Sequence, residues 1–237
     1  SVTIAAQPQR VVATSPTTVE AVYAVGGTLV AHDASSDYPP EVANLPTVGR
    51  AYAPDFEGIV AQNPDLVIAD SINQARFVQQ FETLGVPVLM AGAASFDDAQ
   101  TAMRLVGQAL GLSSEAELAI SKLEEERDAV IAQVPEQKVK VLILIMDADR
   151  RIYAAQPDTY VGSLAQLLKA ENPAAGLSGA AGPYPGYVLL SAEQAITENP
   201  DVILTISPAP EPVPRLSDVL KDVPGYSGLD AVKAGKV

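Results

Sequence analysis

The sequence predicts an α/β protein of two lobes, each built on a mainly parallel sheet and joined by one long α-helix. Three observations predict it. Short branched-apolar runs alternate with helical patterns over residues 10–110, the order of a parallel sheet covered by helices. A stretch opening at Ser113 then carries neither Gly nor Pro until Pro135. Beyond it the alternation starts afresh and ends on a second copy of a short device: AQNPDLVIAD at 61–70 returns as TENPDVILTI at 197–206, 136 positions on.

Each element has a local reason. Residues 10–14 read as a buried strand. Ser15 then offers an N-cap, Pro16 suits the first helical position, Thr17 with Glu20 has capping-box spacing, and Gly26-Gly27 closes the helix. A second strand is expected at 29–31, before the turn-rich AHDASSDYPPE. A short helix begins near Asp55; Asn63-Pro64 stops it, and 65–69 is the third strand. A helix over 74–84 is closed by Gly85, a fourth strand covers 86–90, and a helix over 96–110 ends at Gly111. The next helix opens on the capping box Ser114–Glu117; roughly 20 helical residues span about 30 Å. Its apolar stripe is Ala116, Ile120, Leu123, Val130 and Val134, and KLEEERD gives it a wet face. We read it as a strut between lobes rather than an ordinary sheet-covering helix. Beyond it come a strand at 139–146, a helix over 159–170, a Gly/Pro/Tyr-rich loop, a short helix from Ser191 and the second Asn-Pro-Asp strand. This is the order of two Rossmann-like lobes, 1–112 and 136–237, with 113–135 as the linking helix.

Composition narrows the function. A hydrophobic fraction of 48% with 19% charged residues describes a folded chain. The longest apolar run, VKVLILIM at 139–146, has strand length, well short of the roughly 18 residues of a membrane span. A net charge of −14 repels phosphate backbones, so no nucleic-acid partner is expected, while a basic protein partner stays open. The absence of Cys excludes disulfides and thiolate metal sites. The sequence opens at Ser1 with no charged-then-apolar leader, so a signal peptide, if there was one, is expected to have been removed. There is no Gly-x-Ser-x-Gly, Walker A or Gly-x-Gly-x-x-Gly motif. The one histidine, His32, reads as structural or solvent-facing, and Asp147-Ala148-Asp149 as a solvated loop before a hard-cation site.

Open parallel sheets bind ligands at the carboxyl ends of their strands. The corresponding loops are 14–18, 35–38, 50–52, 70–73, 147–153, 182–187 and 207–210. Tyr38, Tyr52, Tyr153, Tyr160, Tyr184 and Tyr187 fall in or beside loops, where flat faces with polar tips suit a large, partly polar ring system. The candidate ligand contacts are Ser15, Tyr38, Arg50, Tyr52, Ser71, Asp147, Tyr184 and Tyr187; no catalytic residue or resident metal is expected. Arg50 suits an anionic group, and Tyr52 suits stacking or ligation. Glu57 and Glu193, again 136 apart, each take the second position of a short helix behind Asp55 and Ser191. There a carboxylate complements the helix dipole by about 0.3–1 kcal/mol.

Several stretches carry a resemblance over nearly the whole chain: PQRVVATSPTTVEAVYAVGG (8–27), DYPPEVANLPTVGR (37–50), residues 57–69, LGVPVLM (84–90), TYVGSLAQLLKAENPAAG (159–176), LLSAEQAITENPDVILT (189–205) and GYSGLDAVKAGKV (225–237). In order and spacing they resemble the helix-linked (type III) substrate-binding proteins of ABC importers that carry cobalamin, ferric siderophores or haem. The resemblance implies two lobes joined by one helix, a ligand cleft between them, no intrinsic cofactor and no catalysis. It implies a bound metal chelate, and Glu57 and Glu193 meeting arginines of a membrane-embedded permease. It implies an exported monomer on the periplasmic or extracellular face, tied to the membrane only through the transporter or an N-terminal lipid anchor outside this sequence. Family members usually continue for another strand and helix past the equivalent of Lys236-Val237, so the end of the second lobe is expected to be missing or rebuilt. In haem-binding relatives an iron-ligating Tyr follows Val-Gly and an Arg comes two later. Here Val48-Gly49 is followed by Arg50, and Tyr52 comes two later. That transposition puts a ferric siderophore or cobalamin ahead of haem. The alternative of another class is an enzyme or nucleotide-binding protein on a duplicated doubly wound fold.

Overall fold

A computed structural model describes residues 2–147, 149–178, 184–207 and 214–237. The chain divides into two compact units, Ser1–Asp128 and Ala129–Val237. The first runs β1 (Val11–Ala13), α1 (Pro16–Ala24), β2 (Ala31–His32), the hairpin strands β3 (Gly49–Arg50) and β4 (Ala53–Pro54), α2 (Phe56–Ala61), β5 (Leu66–Asp70), α3 (Val78–Glu82), β6 (Val88–Ala91), α4 (Phe96–Leu110) and most of α5 (Ser113–Ile131). Its sheet has the order β2-β1-β5-β6, and every pairing in it is parallel. Side chains alternate across it. Val11, Ala13, Leu66 and Ile68 pack with Val19, Val22, Met103 and Val106, while Val12, Val67 and Ala69 pack with Ile59 and Phe81. Both faces are thus covered, as a parallel sheet requires.

Local chemistry sets the helix ends. Ser15 caps α1 by accepting from Thr18 N, and Thr18 completes the capping box, where the sequence had pointed to Thr17 with Glu20. Ser95 caps α4, whose first turn carries Asp97 and Asp98, and Gly111 ends it at φ +71°. The helix expected over 74–84 is a 3-10 turn, Ala75–Phe77, followed by α3. The buried Gln74 side chain is bonded to three other segments, so regular helix begins only at Val78. The strut reading of α5 also needs amending. Ala116 and Ile120 are buried in the first core, and Gly107 of α4 lies so close that an added Cβ would sit 2.6 Å from the Ala116 Cβ. Leu123 and Val130, expected in the same stripe, are 36% and 53% exposed. The amino half of α5 is a covering helix of the first unit, and the division between units falls in its last turn.

The second unit comprises β7 (Val141–Met146), β8 (Ile152–Ala155), α6 (Tyr160–Leu167), β9 (Tyr187–Leu189), α7 (Ala192–Glu198), β10 (Val202–Ile206), α8 (Leu216–Val219) and α9 (Asp230–Lys233). Its sheet has the order β10-β7-β8-β9. Only β10–β7 is parallel; β8 and β9 run antiparallel. The α/β class stands, but these two strands lie where the sequence suggested loop. The link between β7 and β8 is too short for a parallel crossover, and it folds back with Arg150 at φ +61° and Asp147 N donating to Arg151 O at 3.0 Å.

The repeated Asn-Pro-Asp has one structure in both units. Asn63 and Asn199 take left-handed backbone, φ +48° and +38°, the conformation that a short polar side chain tolerates best after Gly. Asp65 accepts from Gln9 N and Arg10 N at 2.7 and 2.9 Å, and Asp201 accepts from Lys140 N at 2.8 Å. The aspartate therefore pins the incoming strand to the first strand of its unit, with Leu66 against Val11 and Val202 against Val141. Arg10 and Lys140 also donate to the last carbonyls of the preceding short helices, at Gln62 and Glu198. Among the described residues, no helix is long and apolar enough to cross a membrane.

Candidate ligand and docking sites

In the first unit one buried amide organises the loops at the carboxyl ends of the strands. Gln74 is fully buried. Its Oε1 accepts from Thr14 Oγ1 at 2.7 Å and Asp70 N at 2.9 Å, and its Nε2 donates to the carbonyls of Thr14 and Ala51, both at 2.8 Å. The loop after β1, the β3–β4 hairpin and the loop after β5 are tied together by that one side chain. Arg76 adds a second hold, donating to Tyr52 O at 2.7 Å while its guanidinium lies 4.7 Å from the centre of the Phe77 ring.

Those contacts hold the backbone of the hairpin tip and leave its side chains outside. Tyr52 is 60% exposed, and Arg50 is exposed with no ion pair among the described residues. Asp70 is buried, and its carboxylate accepts from Ile72 N, Asn73 N and Asn73 Nδ2 at 2.7, 2.9 and 3.1 Å, which turns the loop and leaves Ser71 exposed. Tyr38 is exposed on the neighbouring loop, whose base is held by Asp33 accepting from Ser35 N at 2.8 Å and from the Ser36 hydroxyl. Ser15 differs: it is buried and its hydroxyl is engaged in the cap of α1. His32 is buried, which leaves the structural rather than the solvent-facing reading, and its Nδ1 has no hydrogen-bond partner among the described residues.

The second unit gathers aromatics. Tyr184 lies edge-on to both Tyr153 and Tyr187, with ring centres 6.0 and 6.1 Å apart. Tyr153 is buried and donates to Asp147 Oδ2 at 3.1 Å. Asp147 also accepts from Arg151 N at 2.9 Å and Arg151 Nε at 2.8 Å, while Arg151 Nη2 donates to Asp149 at 3.0 Å. Burial pushes the Asp147 carboxyl up, yet the bonds from Arg151 and Tyr153 outweigh it, and its pKa lies below the ordinary value. Burial raises the Tyr153 and Tyr187 phenols, and the bond to Asp147 raises Tyr153 further. Both acidic groups of the 147–149 loop are therefore engaged with Arg151 rather than free for a cation. Among the described residues no cluster of His, Asp and Glu is arranged to hold a metal ion. Ala148, the Gly182-Pro183 part of the tyrosine loop, and the 208–210 loop lie outside the described residues.

Glu57 and Glu193 occupy matching places. Asp55 caps α2 by accepting from Gly58 N at 2.9 Å, and Ser191 caps α7 by accepting from Gln194 N at 3.1 Å. Each glutamate is the second residue of its helix, exposed, and without an ion pair among the described residues. Of the residues that build these sites, Gln74 and Arg76 carry no signal in the sequence, and Tyr153 stands there only among the loop tyrosines.

The chain is similar to known proteins over nearly its whole length. The profile of the periplasmic binding protein family matches residues 11–237. An ABC transporter substrate-binding lipoprotein of Bacillus subtilis is 25% identical over 245 residues, covering all of this chain and 74% of the relative. A vitamin B12-binding protein of Vibrio parahaemolyticus is 29% identical, covering 86% of this chain and 74% of its own length. Among solved structures, a periplasmic heme-binding protein of Roseiflexus superposes with a TM-score of 0.82 at 28% identity, covering 95% of this chain and 86% of that one.

Proposed function

The chain belongs to the periplasmic binding protein family, and from that premise we propose that it captures a metal chelate outside the cytoplasmic membrane and delivers it to an ABC importer. No bond is made or broken. The observation that carries the reading is the β3–β4 tip: an exposed Tyr52 beside an exposed Arg50 that has no ion pair among the described residues, on a backbone fixed by Gln74 and Arg76. A fixed backbone lowers the ordering cost of binding. The tyrosine face takes apolar ring surface, and the guanidinium takes a carboxylate or another anionic group. Tyr184 and Tyr187 supply further aromatic surface in the second unit. A cobalamin or ferric siderophore is the first choice of cargo, supported by the vitamin B12-binding relative. Haem is the second reading, favoured by a phenol and a guanidinium two residues apart and by the heme-binding structural relative. The lipoprotein relative supports an extracytoplasmic position. Glu57 and Glu193 serve docking to the importer's permease, where exposed charges set orientation and encounter rate more than affinity.

A melting-temperature panel of cyanocobalamin, ferric hydroxamate, ferric catecholate and haemin tests the cargo. A true ligand at about 100 times its Kd adds roughly 2.7 kcal/mol, and Arg50→Ala with Tyr52→Ala should remove most of that gain. If none of the four raises the melting temperature, the chelate reading fails. A haemin Soret shift that is unchanged in Tyr52→Phe removes Tyr52 as iron ligand.

A further inference from the structure

The two docking glutamates do not recur alone. One turn after Glu57 stands Val60, and one turn after Glu193 stands Ile196, again 136 positions apart. Each is 51% exposed. The rotation of both helices is fixed by a residue with no exposure, Ile59 in α2 and Ala195 in α7. Residues three apart lie on the same side of a helix, so each unit presents one branched aliphatic beside one carboxylate that has no ion pair among the described residues. Beside Val60 the surface forms a hollow of about 450 Å³ lined by Phe56, Glu57, Val60, Ala61, Thr83 and Leu84. Single exposed aliphatics are ordinary on protein surfaces. Recurrence at the same helical position, beside the same carboxylate, in two units of different sheet topology is not explained by that.

We propose that each docking contact is a two-part patch, Glu57 with Val60 and Glu193 with Ile196, that takes a permease segment carrying a basic side chain next to an apolar one. The inference rests on the docking reading above and adds the apolar half to it. Charge complementarity selects the occupant. An exposed carboxylate on a protein of net charge −14 favours a cationic segment, and the aliphatic neighbour is covered when that segment seats. The division of labour follows from physics: the carboxylates govern the salt-dependent on-rate, and the aliphatics govern the off-rate.

Binding to the importer's permease–ATPase complex in nanodiscs, measured at several NaCl concentrations, tests this. Val60→Ser with Ile196→Ser should weaken binding about tenfold through a faster off-rate, with the salt dependence unchanged. Glu57→Gln with Glu193→Gln should slow association and flatten the salt dependence. Cargo binding, read by the melting shift above, should be unchanged in both variants. If the serine pair binds like the parent while the glutamine pair is impaired, the apolar half is overturned and docking through the glutamates stands. If both variants bind like the parent, the docking reading falls as well.

Discussion

Asp147 shows how far a residue's chemistry can be read before its neighbours are known. From sequence it was a candidate ligand contact in a polar loop; in the fold its carboxylate is engaged with Arg151 and Tyr153. Because the folded pKa is depressed, the carboxylate contributes stability that is fully present above its unfolded value, about 3.9, and is lost as pH falls through the lower folded value. Asp147→Asn should cost about 1 kcal/mol at neutral pH, since Arg151 is half exposed and screened. That deficit should hold down to about pH 5 and shrink below about pH 4. Urea titrations at pH 7, 5 and 3 check it; a deficit of the same size at pH 3 removes the ionised carboxylate as the cause. Arg50 and Tyr52 were legible because loop position alone exposes them. Gln74 was not, because an amide's four hydrogen bonds are chosen by three chain segments that meet only in the folded unit.

At the scale of elements, what is decided locally was legible. Helix α4 matched residue for residue because Ser95 starts it and Gly111 stops it. Strands β8 and β9 were missed because they exist through pairing: IYAA and YVL have no periodicity of their own until β7 offers an edge. The Asn-Pro-Asp device lies between these cases. Its helix stop was readable, but the carboxylate clamp on the neighbouring strand was not. The clamp makes a prediction. Asp65→Ala leaves two backbone N–H groups, those of Gln9 and Arg10, without their acceptor, and should cost about 1–2 kcal/mol. Asp65→Asn keeps one acceptor oxygen and should cost about half as much. Denaturant midpoints at constant m-value report both; equal losses in the two variants would mean that charge, not the paired acceptors, holds the strand in register.

For the molecule as a whole, the restart of strand–helix order beyond the long helix was enough to announce two units, while the mixed second sheet and the half-buried α5 depended on packing. Charge acts at this scale too. With 29 acidic and 15 basic residues, the folded chain repels itself at neutral pH. Exposed pairs such as Arg104–Glu117 and Lys233–Asp230 offset this weakly. Raising NaCl shortens the screening length from about 30 Å at 0.01 M to about 10 Å at 0.1 M. Long-range repulsion is weakened more than contacts at 3–4 Å, so the net effect of salt is stabilising. We expect the melting temperature to rise by about 2–4 °C over that range, the equivalent of roughly 1 kcal/mol. Chloride is the right anion for the test, because sulfate would stabilise by exclusion from the surface whatever the charge. Lysine-to-glutamine changes at exposed sites should steepen the rise, and glutamate-to-glutamine changes at Glu57 and Glu193 should shallow it. A melting temperature that falls with NaCl would mean that close ion pairs, not the excess of carboxylates, dominate the electrostatics of the fold.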